Sequence, residues 1–362
     1  MRCLTLANKF MAKDRTTKCY FICREHPGNL CEYIQKKDYE VIILKYENQQ
    51  NVVESEFIVN ECKKKISDSE YCPWLGASPE SDVFQSGQVV ENIKPDIVIV
   101  DHYALGISWE RKIRELVPKL MVIDDLANRS HECDFLLDQN LGRVEEDYKD
   151  FVSPSCNVLV GSSFALLRPE FAESRLYSLK RRKENKFAIR QIVISMGGVD
   201  KDNFTAAVLR TLKYYSLSEE CKIIVIMGIN APWLEDVRTI AESIPMQMEI
   251  KVNCTEMAEL LANTDLVIGA AGTSAWERCC LGVPSLILIL AENQRKSAVA
   301  LQKSGAGIII GEGDIGSIEP SLPSLLEKAK VPAFLSSLIK YSEVLVDGKG
   351  ADRVVEKIQL YN

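Results

Sequence analysis

A chain of 362 residues exceeds the size at which one hydrophobic core usually stops growing, so two domains are expected. Its 46% apolar and 26% charged residues are those of an ordinary folded protein, and its net charge of −7 argues against nucleic acid or an anionic membrane as a partner. No uninterrupted apolar run reaches the ~20 residues of a membrane span, and the start MRCLTLANKFMAK lacks the apolar core of a signal peptide.

Twelve cysteines are scattered without a CxxC, and Cys19/Cys23 and Cys279-Cys280 come closest to a pattern. With three histidines in all, a zinc site is not expected, and the thiols read as free in a reducing cytoplasm. The sequence therefore predicts a cytoplasmic protein with no metal and no cofactor.

In chain order, periodicity predicts a helix over 2–12, a strand over 18–23, a helix over 30–36 and a strand over 40–44. Residues 45–80 are polar and irregular. A helix ends at 89–93, and the apolar run 96–101 (DIVIVD) is a buried strand ending in Asp101-His102-Tyr103. A helix through 110–116 leads to strands at 120–124, 134–137 and 158–160. Alternating apolar runs and amphipathic helices imply parallel βα units. The polar stretch 173–186, with Lys180-Arg181-Arg182-Lys183, reads as a solvated linker. Alternation then restarts, with strands at 191–195, 222–227, 248–252, 266–269, 285–290 and 307–310. The expected fold class is α/β, with two Rossmann-like open parallel sheets facing a cleft. The expected boundaries are a domain over 1–175, a linker over 176–186 and a domain over 187–362.

Small residues follow several of these strands. Strand 191–195 runs into Met196-Gly197-Gly198, strand 222–227 into Gly228-Ile229-Asn230, and strand 266–269 into Ala270-Ala271-Gly272-Thr273-Ser274. Such turns let a ligand reach bare backbone amides, and three at one sheet edge suit a diphosphate. Glu277 sits one helical turn further on, where a carboxylate could accept hydrogen bonds from a ribose, although Ser274-x-x-Glu277 also reads as a capping box. The strand over 285–290 delivers Asn293 and Gln294 to the same edge. No P-loop, GxGxxG, GxSxG or HExxH is present.

IVIVDHYALG, GSSFALLRPEF, ISMGGVDKDN, GAAGTSAWERCCLGVPSL and ENQ, in this order, resemble the UDP-sugar hydrolases of pseudaminic acid biosynthesis, a flagellin-glycan pathway. Those enzymes release UDP from UDP-2,4-diacetamido-2,4,6-trideoxy-β-L-altropyranose by direct attack of water at the anomeric carbon, without metal. They are similar in fold to the MurG-like glycosyltransferases of the two-domain B type. The resemblance implies that Glu277 holds the ribose, with Gly272, Thr273 and Ser274 around the diphosphate. It implies that Arg168 contacts the substrate and that Tyr103 and Asn293 face the sugar. Gly197, Gly198, Gly228 and Gln294 complete the expected binding residues.

Family members carry a strand and a Gly-rich turn ending in a general-base His just before the segment that reads MRCLTLA here. The chain from Met1 holds no residue at that position, and His26, His102 and His131 do not match it. The expectation is a monomer that binds UDP and hydrolyses its sugar at most slowly. A glycosyltransferase on the same fold and a non-catalytic nucleotide-sugar binder are the alternatives.

Overall fold

The computed structural model describes residues 1–26, 28–46, 71, 74–215, 217–218 and 220–361. Most of the stretch 45–80, which the sequence left unassigned, lies outside them. The chain forms two compact units. One comprises Met1–Leu166 with Ala351–Asn362, and the other Leu167–Gly350.

The first unit opens with α1 (Arg2–Lys13), β1 (Tyr20–Arg24), α2 (Cys31–Gln35) and β2 (Glu40–Leu44). After α3 (Pro79–Ile93) come β3 (Ile97–Val100), α4 (Ile107–Arg114), β4 (Lys119–Ile123), β5 (Phe135–Asp138) and β6 (Asn157–Val160). Every ladder is parallel. β1 pairs with β2, and β3-β4-β5-β6 form a separate four-stranded sheet, with no strand among the described residues joining the two. The single open sheet expected of this half is thus two ladders.

Helix α1 serves both. Its residues Cys3, Leu6 and Phe10 recur at helical spacing and pack with Met121, Ile123, Phe135 and Leu137, while Leu4 and Ala7 pack with Ile34 and Tyr39 beside β1 and β2.

The second unit contains α5 (Pro169–Glu184), β7 (Gln191–Ser195), α6 (Phe204–Lys213), β8 (Lys222–Met227), α7 (Leu234–Glu242), β9 (Gln247–Val252) and α8 (Met257–Ala262). It continues with β10 (Leu266–Ala270), α9 (Ser274–Cys280), β11 (Ser285–Ile289), α10 (Glu292–Lys303), β12 (Ile308–Glu312), α11 (Ile318–Ala329) and α12 (Pro332–Glu343). The sheet runs β12-β11-β10-β7-β8-β9, parallel throughout. In units of its own strands this is the doubly wound order 3-2-1-4-5-6, which reverses between β7 and β10. β10 and β11 are buried on both faces, as their unbroken apolar runs require. Each fully buried Leu or Ile there contributes about 1.5–3 kcal/mol.

Two boundaries differ from the sequence reading. Residues expected as a solvated linker, 176–186, lie mostly in α5, and the basic run is not uniformly exposed: Arg182 is 2% exposed. Its guanidinium donates to the carbonyls of Leu261 at 3.1 Å and Thr264 at 2.6 Å, closing the C-terminal end of α8. Arg181 pairs with Asp265 at 2.7 Å. A run of like charges hides such a split because only the helical period decides which member faces inward.

The last helix, α13 (Gly350–Leu360), belongs to the first unit and not to the second. Ala351, Val354, Val355 and Ile358 join the Leu6 core, and Lys9 pairs with Asp352 at 2.6 Å. Arg182→Ala should cost about 2–4 kcal/mol, because buried carbonyls lose their donors. A urea titration reads this as a lowered midpoint, whereas a solvated linker residue would leave the midpoint unchanged.

Candidate functional site

In the second unit the small-residue turns after β7, β8 and β10 lie side by side, because those strands are neighbours in the sheet and all run the same way. Gly197 and Gly198 are exposed, and at neither does any atom occupy the space a side chain would take. The same holds for Gly272. Gly228 is different. Its Cα rests against the Gly198 carbonyl, so any side chain would push the β7 and β8 turns apart. Asn203 caps α6 through the Ala206 amide, and Asp200 takes the amides of Phe204 and Thr205 at 2.9 Å each, which fixes the chain leaving the β7 turn.

The capping box does not form. The N-cap of α9 is Thr273, without a side-chain bond, and the Ser274 hydroxyl accepts from Arg278 Nη1 at 3.1 Å. Arg278, buried, also donates to the Ala270 carbonyl at 2.8 Å and to Ser285 Oγ at 3.0 Å, tying the turn after β10 to the start of β11. Sequence reading missed this residue, whose signal was an arginine in a short helix between two wholly apolar strands.

Glu277 is left without a hydrogen-bond partner among the described residues. Burial pushes its carboxyl above the ordinary glutamate range, with Arg168 and Arg278 opposing. Arg168, at the N-cap of α5, lies over the Phe171 ring at 5.2 Å and stands 4.0 Å from Glu170. Thr273 and Asn293 are exposed. The Gln294 side-chain oxygen is already used, accepting from the Leu290 amide at 3.2 Å. The structure therefore gathers Gly197, Gly198, Gly228, Gly272, Thr273, Ser274, Glu277 and Arg168 within one unit.

Tyr103 lies in the other unit, after β3. Its hydroxyl donates to Asp125 Oδ1 at 2.7 Å, and Arg2 bridges Asp125 Oδ2 at 3.3 Å and Asp101 at 2.5 Å. Burial, with Asp125 alongside, holds the Tyr103 phenol well above its ordinary value, so it remains protonated. The His102 Nδ1 accepts the Ala104 amide at 3.1 Å, a local turn that occupies the imidazole's acceptor nitrogen.

Behind Tyr103 sits a buried polar network that the sequence did not announce. Asp124 follows β4 and Asp138 ends β5, and both are 0% exposed. The Tyr148 hydroxyl lies 3.0 Å from a carboxylate oxygen of each. Arg143 pairs with Asp138 at 2.8 Å, and Arg129 stands 3.3 Å from Asp124 while donating to the Tyr103 carbonyl. His131 completes the set, with Nδ1 2.7 Å from Glu110 and Nε2 3.7 Å from Asp124. The third expected histidine, His26, packs edge-on against Tyr46.

Comparison with known proteins places these units. Residues 191–336 match the glycosyltransferase family 28 C-terminal domain. The whole chain superposes on a MurG of Acinetobacter baumannii with a TM-score of 0.64, at 14% identity, over 99% of this chain and 95% of that one. This is the glycosyltransferase-B fold.

In sequence, this chain is 28% identical over 237 residues, 64% of its length, to an uncharacterized protein of Methanocaldococcus jannaschii. The chain spans only 47% of that relative's length. It is 26% identical to the spore coat polysaccharide biosynthesis protein SpsG of Bacillus subtilis, over 75% of this chain and 78% of that protein. It is likewise 26% identical to the UDP-2,4-diacetamido-2,4,6-trideoxy-β-L-altropyranose hydrolase of Campylobacter jejuni, over 64% of this chain and 80% of that enzyme. Among the described residues, no helix is long and apolar enough to cross a membrane.

The network gives the first unit a pH signature. Burial alone would lower the His131 pKa, but Asp124 and Glu110 push it up to about 9. A histidine whose folded pKa lies above its unfolded value, about 6.5, stabilises fully below that value and loses its contribution as pH rises through the folded one. Urea midpoints should therefore fall between pH about 6.5 and 9, and His131→Gln should flatten that slope. A slope unchanged in the variant would assign the loss to other groups.

Proposed function

We propose that the second unit binds the UDP of a UDP-linked diacetamido-trideoxy sugar, and that the chain hydrolyses it to free sugar and UDP by attack of water at the anomeric carbon. The observation that carries the reading is Glu277. Its carboxylate is half-buried, has no hydrogen-bond partner among the described residues and lies one helical turn beyond the open turn after β10, at the point where the strand order reverses. A carboxylate in that state gains most from a ligand that brings hydroxyl donors, as a ribose does. The open turns after β7 and β10 offer backbone amides to a diphosphate, and Arg168 adds a cation near Glu277.

Loss of UDP needs no metal if fixed donors stabilise the departing charge, and what remains is to aim one water. In this reading Tyr103 and Asn293 act on the sugar, and the reaction belongs to pseudaminic acid biosynthesis. The 26% identity to the Campylobacter hydrolase supports hydrolysis as the reaction to test first.

Incubating the full chain with the UDP-sugar and no acceptor tests the reaction itself. UDP release supports hydrolysis, release only on adding an acceptor identifies a transferase, and binding without release identifies a binder.

Glu277→Ala should weaken UDP binding by about 1–3 kcal/mol in calorimetry while leaving the melting temperature nearly unchanged. Unchanged affinity with a lowered melting temperature would refute the ribose role. Because the ionised carboxylate is the acceptor and its pKa is raised, UDP affinity in the wild type should also fall on acidification, beginning above the ordinary glutamate range. Tyr103→Phe should lower turnover by roughly tenfold or more with UDP inhibition preserved. A parallel loss of UDP inhibition would remove Tyr103 from the sugar.

A further inference from the structure

The sequence singles out Cys19/Cys23 and Cys279-Cys280, but the fold brings two other thiols together. Cys19 Sγ donates to the Ala7 carbonyl at 3.9 Å, and Cys280 Sγ to the Phe171 carbonyl at 3.7 Å. Cys133 and Cys156, 23 positions apart, meet sulfur to sulfur at 3.7 Å. Both are free thiols, and both lie in the first unit.

The main chain on both sides of the pair is hydrogen-bonded. Cys133 lies just before β5 and Cys156 immediately before β6, and these strands are neighbours in the parallel sheet. The Asn157 amide donates to the Asp134 carbonyl at 2.8 Å, so the residues that follow the two cysteines are bonded to each other. The Asp134 carboxylate is anchored in turn, accepting from the Leu120 amide at 2.8 Å and from Arg114 at 2.7 Å. On the other side, the Cys156 amide donates to the Ser153 carbonyl at 2.9 Å and the His131 amide to the Phe151 carbonyl at 2.7 Å.

A disulfide bond is about 2.05 Å long, and a gap of this size is one that side-chain rotation spans. The two sulfurs differ in access. Cys133 is 7% exposed and packs in the core with Ile113, Leu136 and Tyr148, whereas Cys156 is half-buried at the margin of that core. The hydrogen bond with Cys156, together with burial, pushes the Cys133 thiol above its ordinary range. Cys156 is therefore the sulfur that meets an oxidant, and Cys133 the one placed to answer it.

We propose that Cys133 and Cys156 form an oxidation site, a thiol pair that hydrogen peroxide converts to a disulfide within the first unit. Cys156 loses its proton to solvent and its thiolate attacks one peroxide oxygen. The O–O bond breaks, the departing hydroxide takes up a proton as water, and Cys156 is left as a sulfenic acid. The Cys133 sulfur then attacks the Cys156 sulfur, the S–O bond breaks, and hydroxide leaves with the Cys133 proton as a second water. The two thiols lose two electrons in all, and one peroxide gains them. The new bond closes a segment that carries Asp138, Arg143 and Tyr148, so oxidation clamps part of the buried polar network.

The test treats the folded full chain with hydrogen peroxide, blocks remaining thiols with an alkylating agent and digests with trypsin. Cleavage after Arg129, Arg143, Lys149 and Arg175, with Arg168 spared before Pro169, places Cys133 in residues 130–143 and Cys156 in residues 150–175. Mass spectrometry should find these two peptides as one species, lighter than their sum by two hydrogens and separated by dithiothreitol. The oxidised chain should melt about 5 °C above the reduced chain, and dithiothreitol should reverse the shift. Cys156→Ser should abolish both the link and the shift, while Cys133→Ala should leave Cys156 as a sulfenic acid that a dimedone reagent traps. Absence of the linked species in the wild type, Cys156 joined to any other cysteine, or a melting temperature unmoved by the link overturns the site.

Discussion

The constraint on which most of the second unit depends is that its six strands are all parallel. Parallel strands need a crossover between each pair, and those crossovers cover both faces of the sheet. Every strand then ends at the same edge, and only the turns there remain free of packing. Because the order reverses between β7 and β10, the helices after those two strands leave on opposite faces and the turns between them stay open. Glu277, Gly197, Gly198 and Gly272 owe their accessibility to that arrangement and not to any property of their own.

The two units solve the problem of buried charge differently. The first concentrates carboxylates: Glu110, Asp124 and Asp138 are fully buried and are answered by His131, Arg129 and Arg143. Breaking such a set leaves an uncompensated charge, which is why these side chains act as one body. The second unit buries guanidinium groups against carbonyls, as Arg182 does at the end of α8 and Arg278 does at the turn after β10. Against that background Glu277 stands out, as a half-buried carboxylate with no hydrogen-bond partner among the described residues.

The networks also transmit order to the surface. Arg129 holds the Tyr103 carbonyl from the buried side, and Asp125 with Arg2 holds its hydroxyl from the exposed side. With its backbone carbonyl and its hydroxyl both engaged, Tyr103 has its main chain and the tip of its side chain held. Preorganisation of this kind lowers what a ligand must spend on ordering side chains when it binds.

Local pattern alone determined much of this protein. The strands at 191–195, 222–227 and 40–44 are where apolar runs bounded by turn residues place them, and the repeated βα rhythm fixed the parallel α/β class. The small-residue turns and Glu277 were legible because a turn leaves its chemistry in consecutive residues. Other features depended on partners outside the element itself. The capping box at Ser274 gave way to Arg278, which reaches Ala270 and Ser285 across the strand–turn–helix unit. The apparent linker became a packed helix once Arg182 found the open end of α8, and α13 joined the first unit because its apolar stripe matched Leu6 and β4. The pairs Glu110–His131 and Tyr103–Asp125 likewise join segments that no local window contains. Periodicity tells which face of an element is apolar, but only the assembled fold decides which other face it meets and which polar atoms are then left to find partners.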